Sequence, residues 1–291
     1  MAAGASGDSL ARLMSAEPPR FPPPRHVTRD LAIHIRRQDG RATLQLPIVP
    51  EILDASGRVR VGVVATIADV IAGEAAVREA LPGWMATLGL SLQVGDLPGE
   101  GHLTARSRLI RKGRTTLVYE VELEHAETDT AVALSTLTFS LLPARTDLQA
   151  RAIWAETPDP ETRFATEDSG FRAPLLDTAG FAFDPSDLST VRLEKTAYVG
   201  NTLEAVTGGM VATLAEVAAD HHAARELGGA TRVRSLEVHF LKLARVGPLR
   251  ASARTLGTLG AASIVRVELR DEGQDDTLTT LATVVVERVG A

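Results

Sequence analysis

The chain has 291 residues, 44% of them hydrophobic, a net charge of −6 and no cysteine. The length suits one large domain or two of ordinary size; absent cysteine excludes disulfides, thiolate nucleophiles and Cys-based metal sites. The acidic balance offers no basic field for nucleic acid or an anionic membrane; no apolar stretch approaches the roughly 20 residues of a membrane helix, no secretory leader is evident, and cytoplasm is the default location.

Residues 1–25 are rich in Ala, Gly, Ser and Pro, the composition of a disordered tail with polyproline character near its end. Asp30–Arg36 and Arg41–Leu46 flank the turn signal Asp39-Gly40 and predict a hairpin. A loop from Pro50 to about Arg60 leads into an apolar helix over Val61–Leu81, which Pro82-Gly83 stops. Strands are expected at Met85–Val94, His102–Arg111, Thr115–His125 and Ala131–Leu142. Residues 146–169 carry charge, Trp154, Pro158 and Pro160 and read as a linker. The order then repeats: an early strand at Val191–Ala197, a loop at Gly200–Gly208, a helix from about Gly209 to Leu227, then Gly228-Gly229. The last strands are expected at Arg232–Lys242, Pro248–Thr258, Ser263–Asp271 and Thr277–Arg288.

The two helices share a peptide. Val64-Ala65-Thr66-Ile67-Ala68-Asp69-Val70 reappears 147 positions later as Val211-Ala212-Thr213-Leu214-Ala215-Glu216-Val217. A repeat at half the chain length means a duplicated unit. Each copy sets one carboxylate, Asp69 or Glu216, inside an apolar run, where an unpaired charge is costly and seldom kept for stability alone. A lone Asp in a helix is ordinarily a solvated face or a cap; the matching Glu216 moves the balance toward function.

Hairpin, long apolar helix and a run of antiparallel strands is an order that resembles the hotdog fold. The resemblance implies an α+β chain of two tandem hotdog domains, residues 26–145 and 170–291. Each would be a curved antiparallel sheet wrapped around a long central helix, and the two would pair as one intrachain pseudo-dimer. The helix copies look most like acyl-CoA thioesterases of the phenylacetate-pathway (PaaI-like) and thioesterase superfamily member 2 type. That family has an Asn in the loop before the helix, a His-Gly-Gly at its start and a catalytic Asp or Glu nine residues after the His. Asn201, Thr207-Gly208-Gly209 and Glu216 hold those places in the second copy. Asp54, Arg60-Val61-Gly62 and Asp69 hold them in the first. A family Ser or Thr on the next strand is matched by Thr87; the strict repeat offset gives Arg234 in the second copy, with Ser235 one place on.

These types suit thioester hydrolysis. Helix N-terminal amides stabilise an oxyanion, glycine lets a carbonyl approach, and a carboxylate activates water or attacks directly. Because the family's sites take helix start and carboxylate from different units, the resemblance implies two unequal sites. One combines Asp69 and Thr87 with Asn201, Thr207, Gly208 and Gly209, lacking only the His. The other combines Glu216 with Asp54, Arg60, Val61, Gly62 and Arg234, where an ion pair between Glu216 and arginine is expected. Arg114, in the basic turn Arg111-Lys112-Gly113-Arg114, is a candidate for CoA phosphates, although such a turn is more often merely soluble.

The expected activity is an acyl-CoA thioesterase with no metal and no cofactor beyond the CoA of its substrate, assembled as a homodimer. The alternative is a non-catalytic acyl-CoA binding protein on a degenerate double hotdog, which the missing His favours. A purely scaffolding dimer would explain the repeat but not the buried carboxylates. Hotdog hydratases need a His beside the acid, and neither loop has one; the Gly-x-Ser-x-Gly elbow of the α/β-hydrolase thioesterases is absent.

Overall fold

The computed structural model describes residues 21–144, 158–187 and 189–290. The expected tail over residues 1–20 and residues 146–157 of the expected linker lie outside them. From Phe21 onward the chain is held: the Arg29 guanidinium donates to the carbonyls of Pro22 and Pro23 at 2.6 and 2.7 Å. The buried His26 ring caps a one-turn helix, α1 (Val27–Asp30), and its Nε2 lies 2.8 Å from the Gly200 carbonyl.

Among the described residues thirteen strands form one antiparallel sheet. In chain order they are β1 (His34–Gln38), β2 (Arg41–Pro47), β3 (Trp84–Val94), β4 (His102–Lys112), β5 (Thr116–His125), β6 (Thr130–Leu142), β7 (Glu161–Arg163), β8 (Phe181–Phe183), β9 (Thr190–Leu193), β10 (Thr231–Phe240), β11 (Leu249–Leu259), β12 (Ala262–Asp271) and β13 (Thr277–Arg288). Their order in space is β7-β1-β2-β4-β5-β6-β3-β10-β13-β12-β11-β9-β8. Apart from β7 this order is a palindrome about the β3–β10 seam, where Ser91 lies opposite Glu237 and Leu92 opposite Leu236. The β1–β2 turn is Asp39-Gly40 with φ of 51° and 74°, the left-handed pair a two-residue hairpin demands.

Two twenty-residue helices, α2 (Val61–Ala80) and α4 (Gly208–Leu227), pack on the sheet, α2 on β2 to β6 and α4 on β9 to β13, and on each other. Most of their Val, Ala, Ile and Leu side chains are buried. A helix apolar on nearly every face needs such wrapping. The Thr207 hydroxyl caps α4 by accepting the Met210 amide at 3.3 Å, and Gly228, at φ 66°, ends it.

The expected elements are found with ends shifted by a few residues, with four differences. Residues 30–33 do not continue β1, because α1 and the left-handed Ala32 (φ 50°) interrupt the extended run. The strand expected to Ala197 stops at Leu193 before a 3₁₀ turn at Ala197–Val199. Part of the stretch read as linker is β7, paired with β1 at the sheet edge. A short helix, α3 (Leu175–Ala179), and β8 stand ahead of β9. Among the described residues no helix is long and apolar enough to cross a membrane, and no group of His, Asp and Glu has metal-binding geometry.

Candidate functional site

The helices cross where each has a glycine. A Cβ at Gly62 would lie 2.5 Å from Thr213 Cα, and one at Gly209 would lie 2.7 Å from Thr66 Cα. Backbone therefore meets backbone, and the two helices run antiparallel past one another. Thr66 and Thr213 turn their hydroxyls back to the Gly62 and Gly209 carbonyls, at 2.8 and 2.9 Å, so the crossing keeps no loose donor. Gly62 and Gly209, both candidate substrate-binding residues, thus have a packing role in this crossing.

That crossing carries Asp69 of α2 to the start of α4. A Cβ on Gly208 would stand 2.7 Å from Asp69 Oδ2 and 3.5 Å from Phe240 Cζ. The other carboxylate oxygen, Oδ1, accepts the Thr87 hydroxyl at 2.9 Å. Burial pushes Asp69 up to about 6, against which the Thr87 hydrogen bond pulls down. Asp69, Thr87 and Gly208 are thus in one place, with Thr207 as the cap of the same helix end. Asn201 is nearby in sequence but spends its side chain on its own loop: Oδ1 accepts the amides of Leu203 and Ala205 at 2.8 and 3.1 Å, and Nδ2 faces the Val206 carbonyl.

The second cluster forms around Glu216, which is 2% exposed. Arg60 Nη1 lies 3.5 Å from Oε1, a loose ion pair, while the buried Oε2 has no hydrogen-bond partner. Burial pushes Glu216 up to about 7; the Arg60 charge opposes this, Asp220 and Asp54 reinforce it, and the Gly62 amide opposes it weakly. Asp220, one turn on, is also raised by burial, while the Thr231 hydroxyl at 2.6 Å opposes the rise. A cavity of about 190 Å³ opens here, lined by Glu216, Asp220, Asp54, Val61, Val94 and Val233 among others. Asp54 takes the part of Asn201, its Oδ1 accepting Ser56 and Arg58 amides at 2.8 and 3.1 Å.

Two expected neighbours are elsewhere. Arg234 does not approach Glu216; its guanidinium lies 2.7 Å from Glu287 and near the Gly95 carbonyl. Arg114 is exposed in the β4–β5 turn, where Lys112 is bonded to Glu79 at the C-terminal end of α2, away from the helix crossing.

The ladders explain why the clusters differ. Thr87 lies opposite Phe139 just before a bulge in β3; Val233 lies opposite Val286 just before the matching bulge in β10. Phe139 and Val286 are one repeat apart, so Val233, and neither Arg234 nor Ser235, is the counterpart of Thr87. The repeat is one residue shorter between helix and strand in the second half. By the same register Val94, opposite Ala133, corresponds to Phe240, opposite Thr280. Val233 has no hydroxyl to give, which is why Glu216 Oε2 lacks the donor that Asp69 has. Sequence reasoning missed Val233, Phe240, Val94 and Asp220; only Asp220, four residues after Glu216 on one helix face, left a readable signal.

Residues 200–286 match the family model described as the acyl-CoA thioesterase N-terminal domain. No curated protein matches the sequence. Among solved structures, a hotdog-fold protein of unknown function from Alicyclobacillus acidocaldarius superposes with a TM-score of 0.58 at 13% identity, over 91% of this chain and 99% of that one. A protein proposed to be a thioesterase II from Thermobifida fusca gives 0.59 at 14% identity, over 91% and 98%. An acyl-ACP thioesterase from Bacteroides thetaiotaomicron gives 0.53 at 13%, over 84% and 97%. Residues 200–286 thus resemble an acyl-CoA thioesterase domain, and along most of its length the chain has the fold of hotdog proteins.

Proposed function

We propose that the chain is an acyl-CoA thioesterase acting at the Asp69 cluster, built on two hotdog domains, residues 26–145 and 170–291, that pair within the chain. One observation carries this reading: a carboxylate from the first half stands against the first glycine of the helix in the second half, with a hydroxyl holding its other oxygen. The thioester carbonyl would approach the first turn of α4, whose amides lack intrahelical partners. Those amides and the positive end of the helix stabilise the oxyanion as water adds to the carbonyl carbon. Asp69 takes the proton from that water, and the tetrahedral intermediate collapses with the CoA sulfur as leaving group. A base held up to about 6 is mostly ionised at neutral pH yet still basic enough to accept the proton. Thr87 fixes the carboxylate's orientation.

A second reading places hydrolysis at Glu216, favoured by the cavity beside it and by its unpartnered oxygen. Hydrolysis of an acyl-CoA panel by Asp69→Asn and Glu216→Gln separates the two. Asp69→Asn should lose about a hundred- to ten-thousand-fold in rate, the usual cost of a lost general base, with Glu216→Gln keeping most activity. The reverse pattern establishes the Glu216 reading. Binding of acyl-CoA with no hydrolysis by the unmodified protein leaves the non-catalytic binder.

A further inference from the structure

The two clusters are related by the strand register, yet a cavity opens beside Glu216 while an aromatic ring stands beside Asp69. Beside Glu216 the paired positions are Val61 and Val94, and both line the cavity. Beside Asp69 the same positions are Gly208 and Phe240, and the ring reaches to 3.5 Å from where a Gly208 Cβ would be. Small opposite large replaces medium opposite medium. The Phe240 ring fits because Gly208 has no side chain, and the residue is only partly buried, so it reaches from the Gly208 position toward solvent.

We propose that Phe240 is the residue that sets which acyl groups reach Asp69, by occupying with its ring the volume that Val94 leaves open at the other cluster. This deepens the hydrolase reading at Asp69 and rests on it for the identity of the substrate. The rest of the wall agrees in character. Where the Glu216 cavity has Asp220 bonded to Thr231, the Asp69 side has Gly73 facing Met85, whose Cε would lie 3.2 Å from a Cβ at Gly73. At these two positions the Asp69 side is apolar where the other is polar, and an apolar wall suits an acyl chain. Phe240 belongs to β10, in the seam strand pair, so its backbone is fixed by β13 and the ring alone decides the opening.

Phe240→Val copies a side chain the fold already accepts at the corresponding place, so folding is not at risk. The experiment compares kcat/KM for acetyl-, hexanoyl- and palmitoyl-CoA in the unmodified protein, Phe240→Val and Val94→Phe. In parallel, calorimetry measures binding of the same acyl groups as non-hydrolysable thioether analogues of CoA. Phe240→Val should raise the long-to-short ratio by about tenfold or more, since even one methylene in a pocket is worth about ten- to two-hundred-fold. The added preference should appear in binding as well as in hydrolysis. A ratio unchanged within twofold in both assays overturns the proposal. So does a ratio that moves with Val94→Phe and not with Phe240→Val, which would put the acyl group against Glu216. If no protein hydrolyses any thioester, the hydrolase reading fails, and the calorimetric ratio alone decides the role of Phe240. If the analogues bind to neither the unmodified protein nor Phe240→Val, the proposal fails as well.

Discussion

Gly209→Ala is the substitution that most directly tests the helix crossing. On propensity alone it should stabilise α4 by about 1 kcal/mol, since glycine is the poorer helix residue. The geometry opposes that gain. The new methyl would lie 2.7 Å from both Cα and Cβ of Thr66, and backbone cannot swing aside as a flexible side chain can. Reaching an ordinary contact requires the helices to part by about 1 Å along their whole contact, an overpacking strain of the kind that costs about 1–3 kcal/mol and occasionally more. Because the close atoms include backbone, the strain falls in the upper part of that range, and after the propensity gain we expect a net loss of about 1–2 kcal/mol in urea denaturation, or about 2–8 °C in Tm for a chain of this size. Gly62→Ala should behave alike, against Thr213, while Gly257→Ala, with nothing within 4 Å, should stay within about 0.5 kcal/mol of the parent. Parting the helices also draws Gly208 away from Asp69, so activity should fall further than stability explains. A Gly209→Ala protein as stable as its parent, or more so, would show that the helices do not meet backbone to backbone.

Val233→Thr should give Glu216 Oε2 the donor it lacks, and a hydrogen bond to the ionised form must draw its pKa down from about 7; carboxyl-carbon NMR titration would show this, and an unmoved titration would refute the equivalence of Val233 and Thr87. Asp69 and Glu216 are both raised in the folded chain, so between their unfolded values and about 6 or 7 the folded chain holds protons that the unfolded chain has released. Their stabilising contribution is therefore complete at acid pH and is lost as pH rises through that window. Asp69→Asn and Glu216→Gln should each flatten the decline and leave the protein more stable at about pH 8, by an amount of order 2 kcal/mol, as read by denaturation at several pH values; an unchanged slope would mean the carboxylates are not buried as described. The hydrolysis rate should climb with pH through about 6 if Asp69 is the base, and through about 7 if Glu216 is.

Long elements were legible because their signals are redundant. The apolar run of α2, its near-copy in α4 and the eight long strands each offered ten or more residues of pattern. The three-residue strands β7 and β8 carried none, for their pairing is decided by the sheet edges they cover. The meeting of Asp69 with Gly208 was legible through resemblance and repeat together, and the approach of Arg60 to Glu216 followed from the same pairing. Thr87 was reachable because its counterpart in the family stands early on a strand. The counterpart in the second half was not, since a single missing residue between α4 and β10 leaves the helix offset intact and shifts the strand offset. Counting along the chain then lands on Arg234, which sits at the bulge and turns to Glu287. Phe240 looked like any strand aromatic; only contact with Gly208 gives it a place in the site.

The seam between β3 and β10 joins two halves that share one polypeptide, and this has a consequence for how the molecule can vary. In an assembly of identical subunits every inherited change appears twice, so no substitution can improve one pocket without altering its twin. Here Thr87 and Val233, or Val94 and Phe240, are separate codons. One pocket is free to drift while the other is held by selection. Dilution cannot part the halves either, because they belong to one polypeptide and each meets its neighbour at a concentration fixed by the tether, not by how much protein is present. Unequal clusters are therefore as durable in this protein as equal ones would be in a symmetric pair.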